Sequence, residues 1–234
     1  MFGIIYNNLN SIELGLYVEK KPSIPAPAKR VETIEIEGRN GSLHIDKGYG
    51  DITITIPFGF EEKDNFARKC REITAWLRIT ENKNLRFTDD DEVYYKVKSI
   101  SMGEFTRNMN TIGRFTCTFV VEPFAYLLDG NNTITLTEEN NTIYNTGTYE
   151  SEPYFKIYGN GNISVIVNYE SIHFNDVRDY IEIDTELMQC KKGNYNANGD
   201  MEGRFPIFAL EENNIRFYKD GVTKIEITPR WRCI

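Results

Sequence analysis

What most limits the fold of this chain is its periodicity: apolar residues alternate with polar ones in short runs along nearly the whole length, and a helical period occurs over one stretch only. Over residues 51–56, Ile52, Ile54 and Ile56 share one face, the two-residue repeat of a half-buried strand. Residues 31–37 read as another strand, with Gly38-Arg39-Asn40-Gly41 and Gly48-Tyr49-Gly50 as the turns between the two. Further strands are expected at 85–87, 93–97 and 113–121, with Asp89-Asp90-Asp91 as the polar turn between the first two. Strand signals then recur at 133–137, 154–159, 163–168, 180–184, 215–218 and 224–228. Tyr and Phe number 14 each and, with frequent Ile, Val and Thr, suit pleated, half-buried surfaces.

The helical exception spans residues 62–79, where Phe66, Cys70, Ile73 and Leu77 recur at spacings of four, three and four and Trp76 widens the stripe. Glu61, Glu62 and Asp64 stand near its start and Arg78 near its end, the polarity a helix dipole favours. Beyond residues 124–132 the pattern becomes all-β. At 234 residues the chain exceeds the common domain size of roughly 100–150 residues, so two domains are expected. The first, 1–126, is β-rich with one principal helix; the second, 127–234, is an antiparallel β-sandwich. The fold class is mainly β. Pro22, Pro25 and Pro27 remove backbone donors and mark a connector or extended arm.

A net charge of -8 argues against nucleic acid as a partner, because backbone binders draw affinity from clustered Lys and Arg. The start lacks the basic-then-apolar pattern of an export signal, and no apolar run approaches the roughly 20 residues needed to cross a bilayer. No membrane association is therefore expected, and synthesis in a cytoplasm is. Cys70, Cys117, Cys190 and Cys233 are widely spaced without a CxxC pair, so reduced, mostly buried thiols are expected.

Chemistry-bearing patterns are sparse. His44 and His173 belong to no HxxxH or HExxH arrangement, and no G-x-S-x-G elbow supports a Ser-His-Asp triad. The acidic run 89–92 lacks calcium-loop spacing, and Asp176, Asp179, Glu182 and Asp184 resemble outward residues of a strand. Gly159-Asn160-Gly161-Asn162 is followed by a strand-like run, so it reads as a hairpin turn and not a phosphate loop. Matches to N-x-[ST] at Asn40, Asn131, Asn140 and Asn162 carry little weight without an export signal. No catalytic, cofactor-binding or metal-binding residue is assigned, and no cofactor is expected. Gly41 permits a backbone geometry that places Arg39 at a subunit contact, making Gly38, Arg39, Asn40 and Gly41 a candidate contact turn; an ordinary intradomain turn is the alternative.

Several features occur in an order that resembles the distal tail protein family of long-tailed bacteriophages. They are the Gly38-Arg39-Asn40-Gly41 turn, the helix bearing Ile73-Thr-Ala-Trp76-Leu77, Leu85-Arg-Phe, Tyr94-Tyr95-Lys96-Val97, and Phe115-Thr-Cys-Thr-Phe119 leading into Glu122-Pro123-Phe124-Ala125-Tyr126. The likeness continues through Asn145-Thr-Gly147-Thr148, Glu152-Pro153-Tyr154, Ile157-Tyr-Gly159-Asn-Gly161 and Tyr180-Ile-Glu-Ile-Asp184 to Ile225-Glu-Ile-Thr-Pro229-Arg230-Trp231-Arg232. The resemblance implies an N-terminal ring-forming domain and a C-terminal galectin-like sandwich projecting outward. It implies six copies around a channel at the tail tip of the virion, joining the tail tube to hub, fibre or receptor-binding proteins, without catalysis. Exposed strand edges and a proline-rich arm are physically suited to such an assembly. The alternative function is a glycan-binding module in which exposed aromatics stack on sugars. A glycan-cleaving enzyme, suggested only by plentiful carboxylates, is a third.

Overall fold

In the first unit the chain runs β1 (Ile4–Tyr6), β2 (Leu9–Asn10), β3 (Leu16–Val18), β4 (Lys29–Glu35), β5 (Ser42–Tyr49), β6 (Ile52–Glu61), α1 (Phe66–Arg78), β7 (Asn84–Phe87), β8 (Asp90–Met102), β9 (Thr106–Asn108) and β10 (Ile112–Val121). The structure is a computed structural model and describes residues 2–79, 81–108 and 111–234. The chain divides into two compact units, Met1–Ala125 with Ile234, and Tyr126–Cys233.

The cleanest alternating run makes the backbone of the first unit. β6 pairs antiparallel with β10 from Ile52 opposite Val121 to Glu61 opposite Ile112, in a sheet ordered β2-β1-β7-β8-β10-β6-β3. Ile54, Ile56, Phe58 and Phe60 from β6 and Phe115, Cys117 and Phe119 from β10 all face one core. Phe58 stacks on Phe115 with ring centres 5.2 Å apart. Gly113 permits this density: a Cβ there would lie 2.1 Å from the Phe60 ring.

α1 closes that core with Ile73, Trp76 and Leu77. The Trp76 indole N–H donates to the Tyr6 carbonyl at 3.0 Å, and the Tyr6 hydroxyl donates to the Ile79 carbonyl at 3.0 Å. The helix begins four residues later than periodicity suggests. Asn65 caps it through Oδ1, accepting from Arg68 N–H at 2.9 Å, while Glu62 spends its carboxylate on the N–H groups of Asp64 and Asn65.

The second unit contains β12 (Ile134–Leu136), β13 (Asn140–Asn145), β14 (Tyr154–Gly159), β15 (Gly161–Val167), β16 (Glu170–Val177), β17 (Tyr180–Asp184), β18 (Gln189–Lys192), β19 (Tyr195–Asn196), β20 (Met201–Glu202), β21 (Glu211–Phe217), β22 (Val222–Thr228) and β23 (Arg232–Cys233); β11 (Ala125–Leu127) precedes them. One sheet is ordered β12-β22-β14-β17-β18-β19 and the other β13-β21-β15-β16-β20. Phe155, Ile157, Ile183, Ile225 and Ile227 of the first share a core with Val165, Phe174, Ile215 and Phe217 of the second. This is a two-sheet antiparallel sandwich.

Several local expectations are corrected. Gly48 and Tyr49 end strand β5, absent from the sequence reading, instead of forming a turn. Asp90 and Asp91 already belong to β8, leaving Thr88 and Asp89 at the turn. Gly159-Asn160-Gly161-Asn162 is not a hairpin, because β14 and β15 lie in different sheets and the segment carries the chain from one to the other. β13, β16 and β18 are further strands beyond those expected from the sequence.

Candidate self-association site

β4 and β5 form a two-stranded ribbon of their own. The register sets Val31 opposite Asp46, Glu32 opposite Ile45, Thr33 opposite His44, Ile34 opposite Leu43 and Glu35 opposite Ser42. Alternation then sorts the side chains onto two unlike faces. One carries Val31, Thr33, Glu35, Ser42, His44 and Asp46 and is knitted by polar contacts: Lys29 to Asp46 at 2.8 Å, Thr33 to His44 Nδ1 at 3.2 Å and Ser42 to His44 Nε2 at 3.4 Å. Hydrogen bonds from Lys29 and from the Gly48 N–H hold the Asp46 carboxyl below its usual range.

The other face is aliphatic. Ile34, Ile36, Leu43 and Ile45 line it, and a Lys47–Glu32 ion pair at 2.8 Å borders it. These four remain 37%, 47%, 38% and 41% exposed, and none of them belongs to either hydrophobic core. At its root Gly50 N–H donates to the Ala28 carbonyl at 2.9 Å, extending the ribbon's own ladder, and Tyr49 meets Phe124 edge to face at 6.1 Å. A two-stranded ribbon in water is marginally stable at best, and an aliphatic face on such a ribbon calls for a surface to cover it.

Gly38, Arg39, Asn40 and Gly41 lie at the exposed tip of this ribbon. Gly38 and Gly41 both adopt φ of 80°, the left-handed region open to glycine, and Arg39 N–H donates to the Ile36 carbonyl at 3.1 Å. The glycine pair marks this tip in the sequence, whereas the aliphatic face behind it carries a weaker mark. Two-residue alternation over residues 42–49, with Leu43 and Ile45 on one side, was the available signal.

Elsewhere the expected residues do not converge on a reaction centre. Ser164 Oγ lies 2.7 Å from His173 Nδ1 on the exposed outer side of the β15–β16 pair, while His44 stays on the ribbon. The carboxylates read as one outward row are separated: Asp176 and Asp179 occupy left-handed positions at φ 49° and 65°, and Asp184 is buried. Asp184 instead takes a bidentate pair of hydrogen bonds from Arg230 at 2.7 and 3.0 Å. Burial pushes its carboxyl up, and the Arg230 bonds and charge more than offset this, leaving it below the ordinary range. Among the described residues no three His, Cys, Asp or Glu side chains gather as a metal site, and no helix is long and apolar enough to cross a membrane. Cys117 and Cys190 are buried free thiols, while Cys70 and Cys233 are half-buried, so only two of the four fit the expected burial.

Residues 7–121 match the family model of the phage tail protein RIFT-related domain. Over 97% of this chain and 98% of the other, the structure is similar to the crystal structure of the Dit protein of phage SPP1, described as a paradigm of the hub adsorption apparatus in phages that infect Gram-positive hosts, with a TM-score of 0.72 at 10% identity. It is also similar to a chain of the phage P2 baseplate in its calcium-activated conformation, with a TM-score of 0.51 at 14% identity over 97% of this chain and 96% of that one. No curated protein sequence matches. The match over residues 7–121 is to a phage tail protein domain, and the likeness over the whole chain is one of β-rich fold. More particularly, its first unit carries the RIFT-related tail domain and the whole chain has the fold of a siphophage distal tail protein.

Proposed function

We propose that this chain is a hub subunit of a phage tail tip, in which identical copies close into a ring through the β4–β5 ribbon. The observation that carries this reading is the amphipathic ribbon itself, whose aliphatic side chains Ile34, Ile36, Leu43 and Ile45 stay 37–47% exposed. Strands of seven and eight residues reach on the order of 25 Å, far enough to lie across an identical neighbour. A contact that puts the ribbon of one copy on a different patch of the next is head-to-tail, and such contacts close into a ring when the rotation allows. Six copies is the number that the family resemblance implies.

In this reading the first unit, with the tip residues Gly38, Arg39, Asn40 and Gly41, builds the ring. The second unit is a galectin-like sandwich, and the ring joins the tail tube to baseplate, fibre or receptor-binding proteins within the virion. The distribution of charge supports this. Up to residue 125, Lys and Arg number 17 against 18 Asp and Glu; from residue 126 they number 10 against 17. Like-charged second units favour mutual separation, and near-neutral first units favour close contact. The function is mechanical, with no turnover.

Negative-stain imaging of the purified full chain tests it. A ring with a central hole is expected, together with loss of the ring when residues 29–49 are replaced by a Gly-Ser linker. A monomer throughout the micromolar range, or a ring that survives the replacement, contradicts the proposal.

A further inference from the structure

A cleft of about 380 Å³ opens in the second unit where the end of β16, the start of β17, the β18–β19 hairpin and the turn at Asn198–Asp200 meet, within the size range of small-molecule sites. Its rim is unusual in backbone terms. Asp176 and Asp179 are non-glycine residues in the left-handed region, a conformation that persists only where its surroundings enforce it. The enforcement comes from the segment that crosses between the sheets: Asn162 Oδ1 accepts from the Asp176 N–H at 3.1 Å, and Asn160 Oδ1 accepts from the Asp179 N–H at 3.1 Å. The two carboxylates are thereby turned outward, with side chains 77% and 84% exposed.

Charge narrows the ligand. Arg178 and Lys192 line the cleft together with the carboxylates Asp176 and Asp200; Arg178 is matched by Asp176 at 2.9 Å, and Lys192 by Asp179, just outside the lining, at 3.5 Å. A phosphate, sulfate or uronate would find no surplus positive charge here. Tyr180 already carries two ammonium groups over its ring, Lys156 at 4.3 Å and Lys192 at 5.4 Å. Tyr195 remains 63% exposed and offers an apolar ring at the mouth.

One exposed aromatic ring beside carboxylates that accept and a guanidinium that donates is the complement of a sugar ring, whose C–H face stacks while its hydroxyls hydrogen-bond. We propose that this cleft binds an uncharged saccharide unit, a neutral hexose or N-acetylhexosamine. Tyr195 would stack, Asp176 and Asp200 would accept from hydroxyls, and Arg178 would donate. The inference does not depend on ring formation. If copies do assemble, repeated weak sites gain avidity toward a polysaccharide.

The test is ligand-observed NMR of the full chain with glucose, galactose, rhamnose, N-acetylglucosamine and N-acetylgalactosamine, and with glucuronate and glycerol phosphate as anionic comparators. Titration to about 50 mM covers the millimolar affinities expected of one sugar ring. At least one neutral sugar should bind, with Tyr195→Ala weakening it by ~10-fold and Asp176→Asn weakening it as well. Tyr169→Ala, at the turn on the opposite end of β16 and 89% exposed, should leave binding unchanged. Because Tyr195 is exposed, its variant should melt like the parent; Arg178→Ala supplies a second probe. Binding by no neutral sugar, preference for the anions, or indifference to both Tyr195→Ala and Arg178→Ala overturns the proposal.

Discussion

Replacing Ile34 and Ile45 together with Thr separates assembly from folding. Both lie on the aliphatic face of the ribbon, and Thr keeps the β-branched shape that strands favour, so the ribbon itself should persist. Fully burying an Ile is worth about 1.5–3 kcal/mol, and with roughly two-fifths of each still exposed, covering the remainder contributes on the order of 1 kcal/mol per residue. Forcing two hydroxyls into that contact adds a desolvation penalty, giving a total near 2–3 kcal/mol per subunit contact. Each contact should then weaken by roughly 30–150-fold. Sedimentation velocity across a dilution series should show the assembly dissociating at higher concentration than the parent. The melting temperature of the separated chain should not move, because neither residue touches a core cluster. An unchanged assembly midpoint, or a fall in melting temperature as large as a core deletion gives, would mean that this face is not the subunit contact.

Gly113→Ala drives a methyl to within 2.1 Å of the Phe60 ring, and denaturant unfolding should show the first unit destabilised by about 1–3 kcal/mol. Asp184→Asn breaks the bidentate pairing with Arg230 and should cost the second unit ~1.5–3 kcal/mol, read by the same method. The folded Asp184 carboxyl sits below its ordinary value of 3.8, so its contribution is present above that pH and is lost as pH falls through the lower folded value. Acid unfolding of the parent should therefore show a stability loss beginning below about pH 4 that the Asn variant lacks. Burial pushes the Cys117 and Cys190 thiols up to about 12; a thiol reagent at neutral pH should leave both unmodified until denaturant is added.

Where one face of a strand meets a core, the sequence showed it. The β6 run and the β14 and β17 strands were visible because burial on one side imposes strict alternation. β5, whose residues are almost all exposed, has no such constraint: its alternation covers only Leu43 and Ile45 before Lys47 and Gly48 end it, too short a run to mark a strand. β16 was missed for a related reason, since polar Glu170, His173, Asn175 and Asp176 dominate its outward side. The tip glycines 38 and 41 were legible because positive φ selects for glycine. The ribbon's aliphatic face was not, because it emerges only when two strands are set in register. Asp184 looked like one of several outward acids, and only its distant partner Arg230 reveals it as buried.

In the assembled ring the ribbon of one copy is expected to be covered by another copy. A photo-crosslinking residue at position 43, in an equal mixture of isotopically light and heavy full-length chains, measures this directly. Crosslinked peptide pairs that join light to heavy chains and map to the first unit of the partner are expected. Crosslinks confined to light–light and heavy–heavy pairs, at concentrations where the protein is assembled, would show that each ribbon folds back on its own chain and would contradict it.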